Sequence, residues 1–438
     1  MSADKVNVES TSSETIKDIY CLPENPRKIS FEDVQKAFAV VSECTKPTPF
    51  TKSKLSEVLG MNVYFKKEFL QYTGSFKERG ALYALTMLSE EQKKKGVVAA
   101  SLGNHSQGMS YHSKRLNIPC TVVMPHAAPH NKIKRCRNFG ANVIIHGNDM
   151  AEALSHAKFL AKEKGMTYIN GYDHPHIIAG QGTVGMEIVA QMEDHIDAIV
   201  VPVGGGGLIA GVATAAKALL KDVKIIGVET ENSQGFTNAL AHGKPIYTPT
   251  SPSLADGLVV PTVGYNAFAT AQPLVDKMIV IKEEWIHPAM LQLVELEKSV
   301  VEGAAAAGLG AILSGQMDEF KNKNVAVILC GGNIDSNIFG RCIERGLVAV
   351  GRLLRFCVTV SDKPGSLTEL CSLTSAAGVS ITQLVQERQF CKSIHNIELK
   401  VICETRDYEH TEYFKKLLRE HYGEVEFNDS PLKCATME

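Results

Sequence analysis

Short apolar runs alternating with longer helical patterns fill residues 30–345, and this alternation constrains the fold more than any single motif. Strands are expected at Asn62 to Lys66, Val97 to Ala100, Cys120 to Met124 and Asn142 to His146. Others are expected at Thr167 to Ile169, Ala198 to Val201, Lys224 to Val228 and Val325 to Leu329. Helical spacing separates them, as over Phe31 to Val41, with Ser30 placed to cap it, and over Met150 to Lys164. Strands that read as unbroken apolar runs are strands buried on both faces, and repeated βα units build open, mostly parallel sheets covered by helices. The uncharged run Ala198 to Ala216 has the length of a membrane span. Pro202 and Gly204 to Gly207 interrupt it, so a strand, loop and helix account for the same residues.

A chain of 438 residues implies two or three domains. The pattern changes after about Gly346. Leu353 to Ser361, Ser380 to Glu387, Asn396 to Cys403 and Glu424 to Phe427 read as strands, with helices over Ser366 to Ala377 and Tyr408 to His421. That order, βαββαβ, predicts a separate ferredoxin-like unit. The formal net charge of −2 provides no basic field for nucleic acid and no polybasic surface for an anionic membrane. The 11 cysteines are scattered, which fits a reducing, cytosolic compartment better than a disulfide framework. Residues 1–28 read as a disordered tail, because their first 20 mix acidic, basic and serine residues without an apolar stretch.

Four segments carry chemistry. Val203 to Leu208 holds four consecutive glycines between an apolar strand and a helix, a loop whose backbone N–H groups can close around a phosphate. The same stretch satisfies G-x-G-x-x-A with Glu229 after the next strand, so a dinucleotide site is a rival reading. Ala100 to Gly108 also follows a strand and opens a helix; its amides and the Ser101 hydroxyl suit a carboxylate, and Asn104 can donate to a phenolic or carbonyl oxygen, although Ser101 also reads simply as an N-cap. Leu329 to Asn333 places small residues at a strand end, where a planar ring can approach; Cys330 by itself also reads as a buried structural thiol. Lys77, in Thr73 to Ala81, is either an exposed first-turn lysine or an amine that holds an aldehyde cofactor once it loses its proton. Asp173-His174-Pro175-His176 lacks the further ligands of a zinc site.

Taken together, Ser75-Phe76-Lys77 with Arg79-Gly80-Ala81, then Ser101-x-Gly103-Asn104-His105, then Gly204 to Leu208, resemble the serine/threonine dehydratases. Gly180-Gln181-Gly182-Thr183 and Ala255-Asp256-Gly257 also match. These are fold type II, tryptophan-synthase-β-like pyridoxal-phosphate (PLP) proteins. The resemblance implies two open α/β subdomains over 29–345, a linker over 346–352 and, over 353–438, an ACT-type regulatory domain. It implies β-elimination of L-threonine to 2-oxobutanoate and ammonia, and of L-serine to pyruvate and ammonia. Lys77 would hold the cofactor as a Schiff base and later take the Cα proton. Phe76 would line the ring, Asn104 would bond its 3-oxygen, and Gly204, Gly205, Gly206, Gly207 and Leu208 would hold the phosphate. Cys330 would face the pyridine nitrogen, where a neutral thiol leaves that nitrogen largely unprotonated and limits racemisation. Ser101, Gly103, Asn104 and His105 would grip the substrate carboxylate. Asp362, Pro364, Gly365 and Leu367 would bind a regulatory amino acid, isoleucine or valine, and paired ACT-type units would make a homodimer or homotetramer.

Two departures matter. Serine racemases, the nearest rival, carry a proton-donating serine where this chain has Leu102, and most dehydratases carry alanine there. The racemase-type divalent-cation site is also incomplete, since Gly235 stands where a second carboxylate beside Glu229 is expected; no structural metal is predicted. A non-enzyme alternative is an amino-acid sensor with little catalysis.

Overall fold

The computed structural model describes residues 18–428 and contains three sheets. The strands are β1 (Phe50–Lys52), β2 (Asn62–Lys67), β3 (Val97–Ala100), β4 (Cys120–Met124), β5 (Asn142–Ile145), β6 (Thr167–Tyr168) and β7 (Ala198–Pro202). They continue with β8 (Lys224–Thr230), β9 (Lys277–Ile281), β10 (Asn324–Leu329), β11 (Leu353–Ser361), β12 (Ser380–Glu387), β13 (Asn396–Glu404) and β14 (Val425–Asn428). A six-stranded sheet runs β1-β2-β10-β7-β8-β9, parallel except where β1 pairs antiparallel with β2. A smaller sheet, β5-β4-β3-β6, is wholly parallel. The chain leaves the large sheet after β2, builds the small one and returns at β7, so the two α/β subdomains are interleaved.

The strands of residues 30–345 fall where the apolar runs predict, with two additions. β1 is three residues long with two exposed side chains, and β9 is half-exposed at the sheet edge. Neither offers the continuous apolar run of a central strand, and pairing with a neighbour is what makes each a strand. The interior of the large sheet is the opposite case. Val325–Leu329, Ala198–Val201 and Ile225–Val228 are all fully or nearly fully buried.

The C-terminal sheet, β12-β13-β11-β14, is antiparallel throughout. Its helices Ser366–Ala376 and Tyr408–Tyr422 enclose a separate core of Leu354, Phe356, Val358, Leu399, Val401 and Phe414. This is the βαββαβ order that the pattern predicts. The helix Ser336–Ala349 runs through the first half of the stretch read as a linker, and Arg352 then pairs with Glu295 at 2.6 Å.

Of residues 1–28, read as a disordered tail, 1–17 lie outside the described residues. Asp18 to Lys28 differ from that expectation and lie on the body. The Asn266 amide donates to the Tyr20 carbonyl at 2.7 Å, the Gln92 amide donates to the Tyr20 hydroxyl at 3.1 Å, and the Tyr20 ring packs on His174. These partners are far away in sequence, so local composition carries no trace of them. Among the described residues no helix is long and apolar enough to cross a membrane.

Four charges are buried behind the helix Lys77–Thr86. The Arg79 guanidinium donates to both oxygens of Glu68, at 2.7 and 2.8 Å, and to both oxygens of Glu187, at 2.6 and 2.8 Å. Lys66 reaches Glu187 at 2.5 Å and donates to the Thr48 carbonyl at 2.8 Å. Two cations and two anions balance, so no charge is left alone out of water. Replacing Glu187 by Ala strands Arg79 and Lys66 with one carboxylate, and urea denaturation is expected to show a loss of about 3–5 kcal/mol. Burial is the largest single influence and pushes the Glu68 carboxyl up, but the Arg79 charge and its hydrogen bonds, with Lys66 and the Thr48 hydroxyl, together outweigh it and hold the group below 4.5. A depressed carboxyl contributes stability above its unfolded value and loses it as pH falls through the folded one. The Glu68→Gln protein is therefore expected to show a shallower decline in stability below about pH 4.5 than the wild type.

Candidate active site

The site is built at the carboxyl ends of strands, where open α/β sheets bind ligands. β2, β10 and β7 are neighbours, and the segments that leave them converge. The segment after β10 pins the loop that leads to Lys77. The Phe76 N–H donates to the Cys330 carbonyl at 3.0 Å, the Gly332 N–H to the Gly74 carbonyl at 2.9 Å, and Ser75 pairs with Gly331 as an isolated bridge. Arg79 anchors the helix from behind, so Lys77, in its first turn, faces the cleft between the subdomains. There its amine donates to the Gly171 carbonyl and lies 5.4 Å from the centre of the Phe76 ring. Burial lowers the Lys77 pKa to about 8 from 10.5, against opposing pulls from Cys330 and Glu302. The amine is thus much closer to losing its proton at neutral pH than a surface lysine, which excludes the reading of Lys77 as an exposed helix residue.

Gly204 to Gly207 follow β7 and open the helix Gly207–Leu219. Gly206 caps it with φ +90°, a conformation glycine adopts without strain. A Cβ on Gly205 would sit 2.3 Å from the Tyr172 ring, and one on Gly207 would sit 2.3 Å from the Tyr172 carbonyl oxygen. Gly205, Gly206 and Gly207 therefore have no room or no unstrained conformation for a side chain, and the loop presents first-turn N–H groups at a helix N-terminus. Leu208 is buried in the helix behind them. Glu229, the acidic residue of the dinucleotide alternative, is otherwise engaged. Its carboxylate accepts from the Phe236 and Thr237 N–H groups at 2.7 and 2.9 Å and caps the helix Gly235–His242.

β3 ends at the third segment. Ser101 accepts from the Gly103 N–H at 3.3 Å, and the helix Asn104–Arg115 starts with no side-chain cap, so its first N–H groups are free for a ligand. The His105 imidazole is turned away from this role. Nε2 meets the Ile169 carbonyl at 3.0 Å, the ring packs over Gly171, and burial lowers its pKa to about 3. Only the His105 backbone can serve a carboxylate. Asn104 is held on both sides: its Nδ2 donates to Glu302 at 2.8 Å and its Oδ1 accepts from Asn333 at 2.8 Å. Cys330 is buried at the end of β10, and burial raises its thiol well above the ordinary value, which keeps it neutral.

Glu302 is the residue that sequence reading misses. It is 5 % exposed, and burial, with Asp256 nearby, raises its pKa to about 7. The signal was an acid set directly before Gly303–Leu313, a helix whose every residue is buried. In the C-terminal unit, Asp362 is held in a two-pronged pair with Arg388, at 2.7 and 3.1 Å. Pro364 and Gly365 are exposed, and Leu367 is half-buried against the local core. Arg388 lies between motifs and was likewise not anticipated.

These residues fit a planar aldehyde bearing a phosphate. A glycine loop opens a helix, a lysine with a lowered pKa meets the Gly171 carbonyl, small residues follow β10, and the buried Ser75 hydroxyl has no protein partner. The family described as pyridoxal-phosphate dependent enzyme matches residues 41–331. The L-threonine ammonia-lyase of Thermotoga maritima is 41% identical over 394 residues, 89% of this chain and 97% of that protein. What lies outside that match is shorter than the C-terminal unit, so the similarity extends into it. Among solved structures, the processed form of threonine deaminase isoform 2 from Solanum lycopersicum superposes with a TM-score of 0.68. It is 34% identical and covers 76% of this chain and 97% of its own. Maize serine racemase superposes at 0.69 with 31% identity, covering 73% and 98%.

Reductive alkylation of the unliganded protein by a small aldehyde is expected to label Lys77 with a midpoint near pH 8. Peptide mass spectrometry across a pH series reads it, and a midpoint near 10.5 would contradict the electrostatics described here.

Proposed function

The chain belongs to the pyridoxal-phosphate-dependent enzyme family, and on that premise we propose that it is an ammonia-lyase for L-threonine and L-serine. The single observation that carries this reading is the Lys77 amine held at the Gly171 carbonyl, next to the Tyr172 that packs on the glycine loop, in a chain 41% identical to an L-threonine ammonia-lyase over most of both lengths. Pyridoxal phosphate, when bound, supplies the electron sink that allows the substrate Cα–H bond to break and the β-hydroxyl to leave.

The protein's own groups do the rest. Lys77 would anchor the cofactor and would take the Cα proton with an amine poised near neutral pH. The N–H groups of Gly204 to Gly207, with Leu208 behind them, hold the phosphate. Ser101 and the backbone of Gly103, Asn104 and His105 orient the substrate carboxylate. Phe76 walls the ring and Asn104 donates to its oxygen. Cys330, held as a neutral thiol, would face the ring nitrogen without supplying a charge to protonate it. The net reaction converts threonine to 2-oxobutanoate and ammonia, and serine to pyruvate and ammonia.

Maize serine racemase shares the fold at 31% identity, yet inversion needs a proton donor on the second face of Cα. Leu102 packs half-buried against the apolar core of the small subdomain and has no proton to transfer. Elimination from one face is the outcome this favours. The C-terminal unit is read as an ACT-type domain that senses isoleucine or valine near Asp362 to Leu367 and pairs chains into a homodimer or homotetramer. Its strand order supports that reading. The free state of every cysteine among the described residues fits the cytosol.

Oxo-acid formation from L-threonine, followed by absorbance, is expected to fall at least about a thousandfold in Lys77→Ala, which removes both anchor and base. Full turnover in that protein would rule the assignment out. A chiral assay is expected to show little D-serine from the wild type; rapid D-serine formation would mean that another residue protonates the second face. Truncation after Arg352 is expected to abolish the response to branched-chain amino acids, and a response kept intact would place regulation elsewhere.

A further inference from the structure

One polar chain crosses the cleft with all its donors running in the same direction. Arg135 Nη1 donates to Asn333 Oδ1 at 2.5 Å. Asn333 Nδ2 donates to Asn104 Oδ1 at 2.8 Å and to the Thr73 carbonyl at 2.8 Å. Asn104 Nδ2 donates to Glu302 Oε1 at 2.8 Å. Arginine can only donate and an ionised carboxylate can only accept, so the two ends dictate which way each amide between them faces. Glu302 occupies the N-cap position of the helix Gly303–Leu313, yet its side chain makes no capping bond to that helix. It points instead at the end of β10, where a Cβ on Gly331 would come within 2.5 Å of Oε1. The buried acid forgoes capping its own helix, and its carboxyl faces the Asn104 amide and the Asn333 backbone N–H instead.

We infer that Glu302 is a positioning residue that fixes the Asn104 amide so that its second N–H is left for the cofactor's ring oxygen. This rests on the reading of Asn104 as a cofactor contact. The charged and titratable groups that face Glu302 are Lys77 from its helix, Cys330 from the end of β10, Asp256 from the turn after Ala255, and Lys132 from the helix His130–Asn138. Lys132 is itself paired with Asp256 at 3.1 Å. With its pKa raised to about 7, Glu302 gains its charge across the neutral range, and the hold on Asn104 strengthens as pH rises. Glutamine in its place keeps a carbonyl acceptor but never ionises.

Cofactor binding to the apoprotein, followed by the absorbance of the lysine-bound form, tests this without a turnover assay. Glu302→Ala and Asn104→Ala are each expected to weaken binding about tenfold and to shift the bound absorbance alike, with the double variant little worse than either single. Glu302→Gln is expected to match the wild type at pH 6 and to fall behind it at pH 8. Losses that add in the double variant, or a wild type and Glu302→Gln that stay parallel from pH 6 to 8, would overturn the inference while leaving Asn104 a cofactor contact. An Asn104→Ala protein with unchanged affinity and absorbance would remove the reading of Asn104 and this inference together. If Glu302→Ala does not fold, the pH comparison with Glu302→Gln decides.

Discussion

The buried quartet of Arg79, Glu68, Glu187 and Lys66 is the constraint on which the site depends. Lys66 comes from β2, Glu68 from the turn that follows, Arg79 from the helix Lys77–Thr86 and Glu187 from the helix Pro175–Gln191. Each ion is costly to bury alone, so the four are stable only when all four elements are in place at once. The guanidinium uses four contacts of fixed geometry to two carboxylates, which sets the rotation of its helix as well as its position. Lys77 lies two residues earlier on that helix. An arginine bound at the back is what turns a lysine at the front into the cleft.

Burial then does different things to different acids and bases in that cleft. It lowers the ammonium of Lys77 and raises both the Glu302 carboxyl and the Cys330 thiol, because each is driven toward its neutral form. The result is a site with an amine near neutral pH beside a thiol that stays protonated. That combination is the chemical basis of the proposed role of Lys77 as the base. Leu102 packs partly buried against the core of the small subdomain and is apolar, as the proposed elimination from one face requires.

Much of this was legible in the chain because the motifs are local. Strand–glycine–helix segments announce backbone geometry over five or six residues, and β3, β4 and β11 lie where apolar alternation and turn residues put them. Local signals fail where partners are distant. Glu302 meets Asn104 across 198 residues, and Tyr20 meets Asn266 across 246. The imidazole of His105 belongs to a recognisable loop motif, yet its packing over Gly171 takes it out of the cleft.

The order of residues alone carries the class of fold and the kinds of chemistry present: glycine loops that close approach requires, a lysine at a helix start, and a terminal unit with its own strand order. Those properties follow from backbone conformation and hydrophobic period, both written in neighbouring residues. The state of the lysine, the face of each amide and the side of His105 that the site presents depend on the folded arrangement. Desolvation and hydrogen-bond direction are set by atoms that come together after the chain has folded, and for Lys77 they convert a helix-start lysine into an amine that can react near neutral pH.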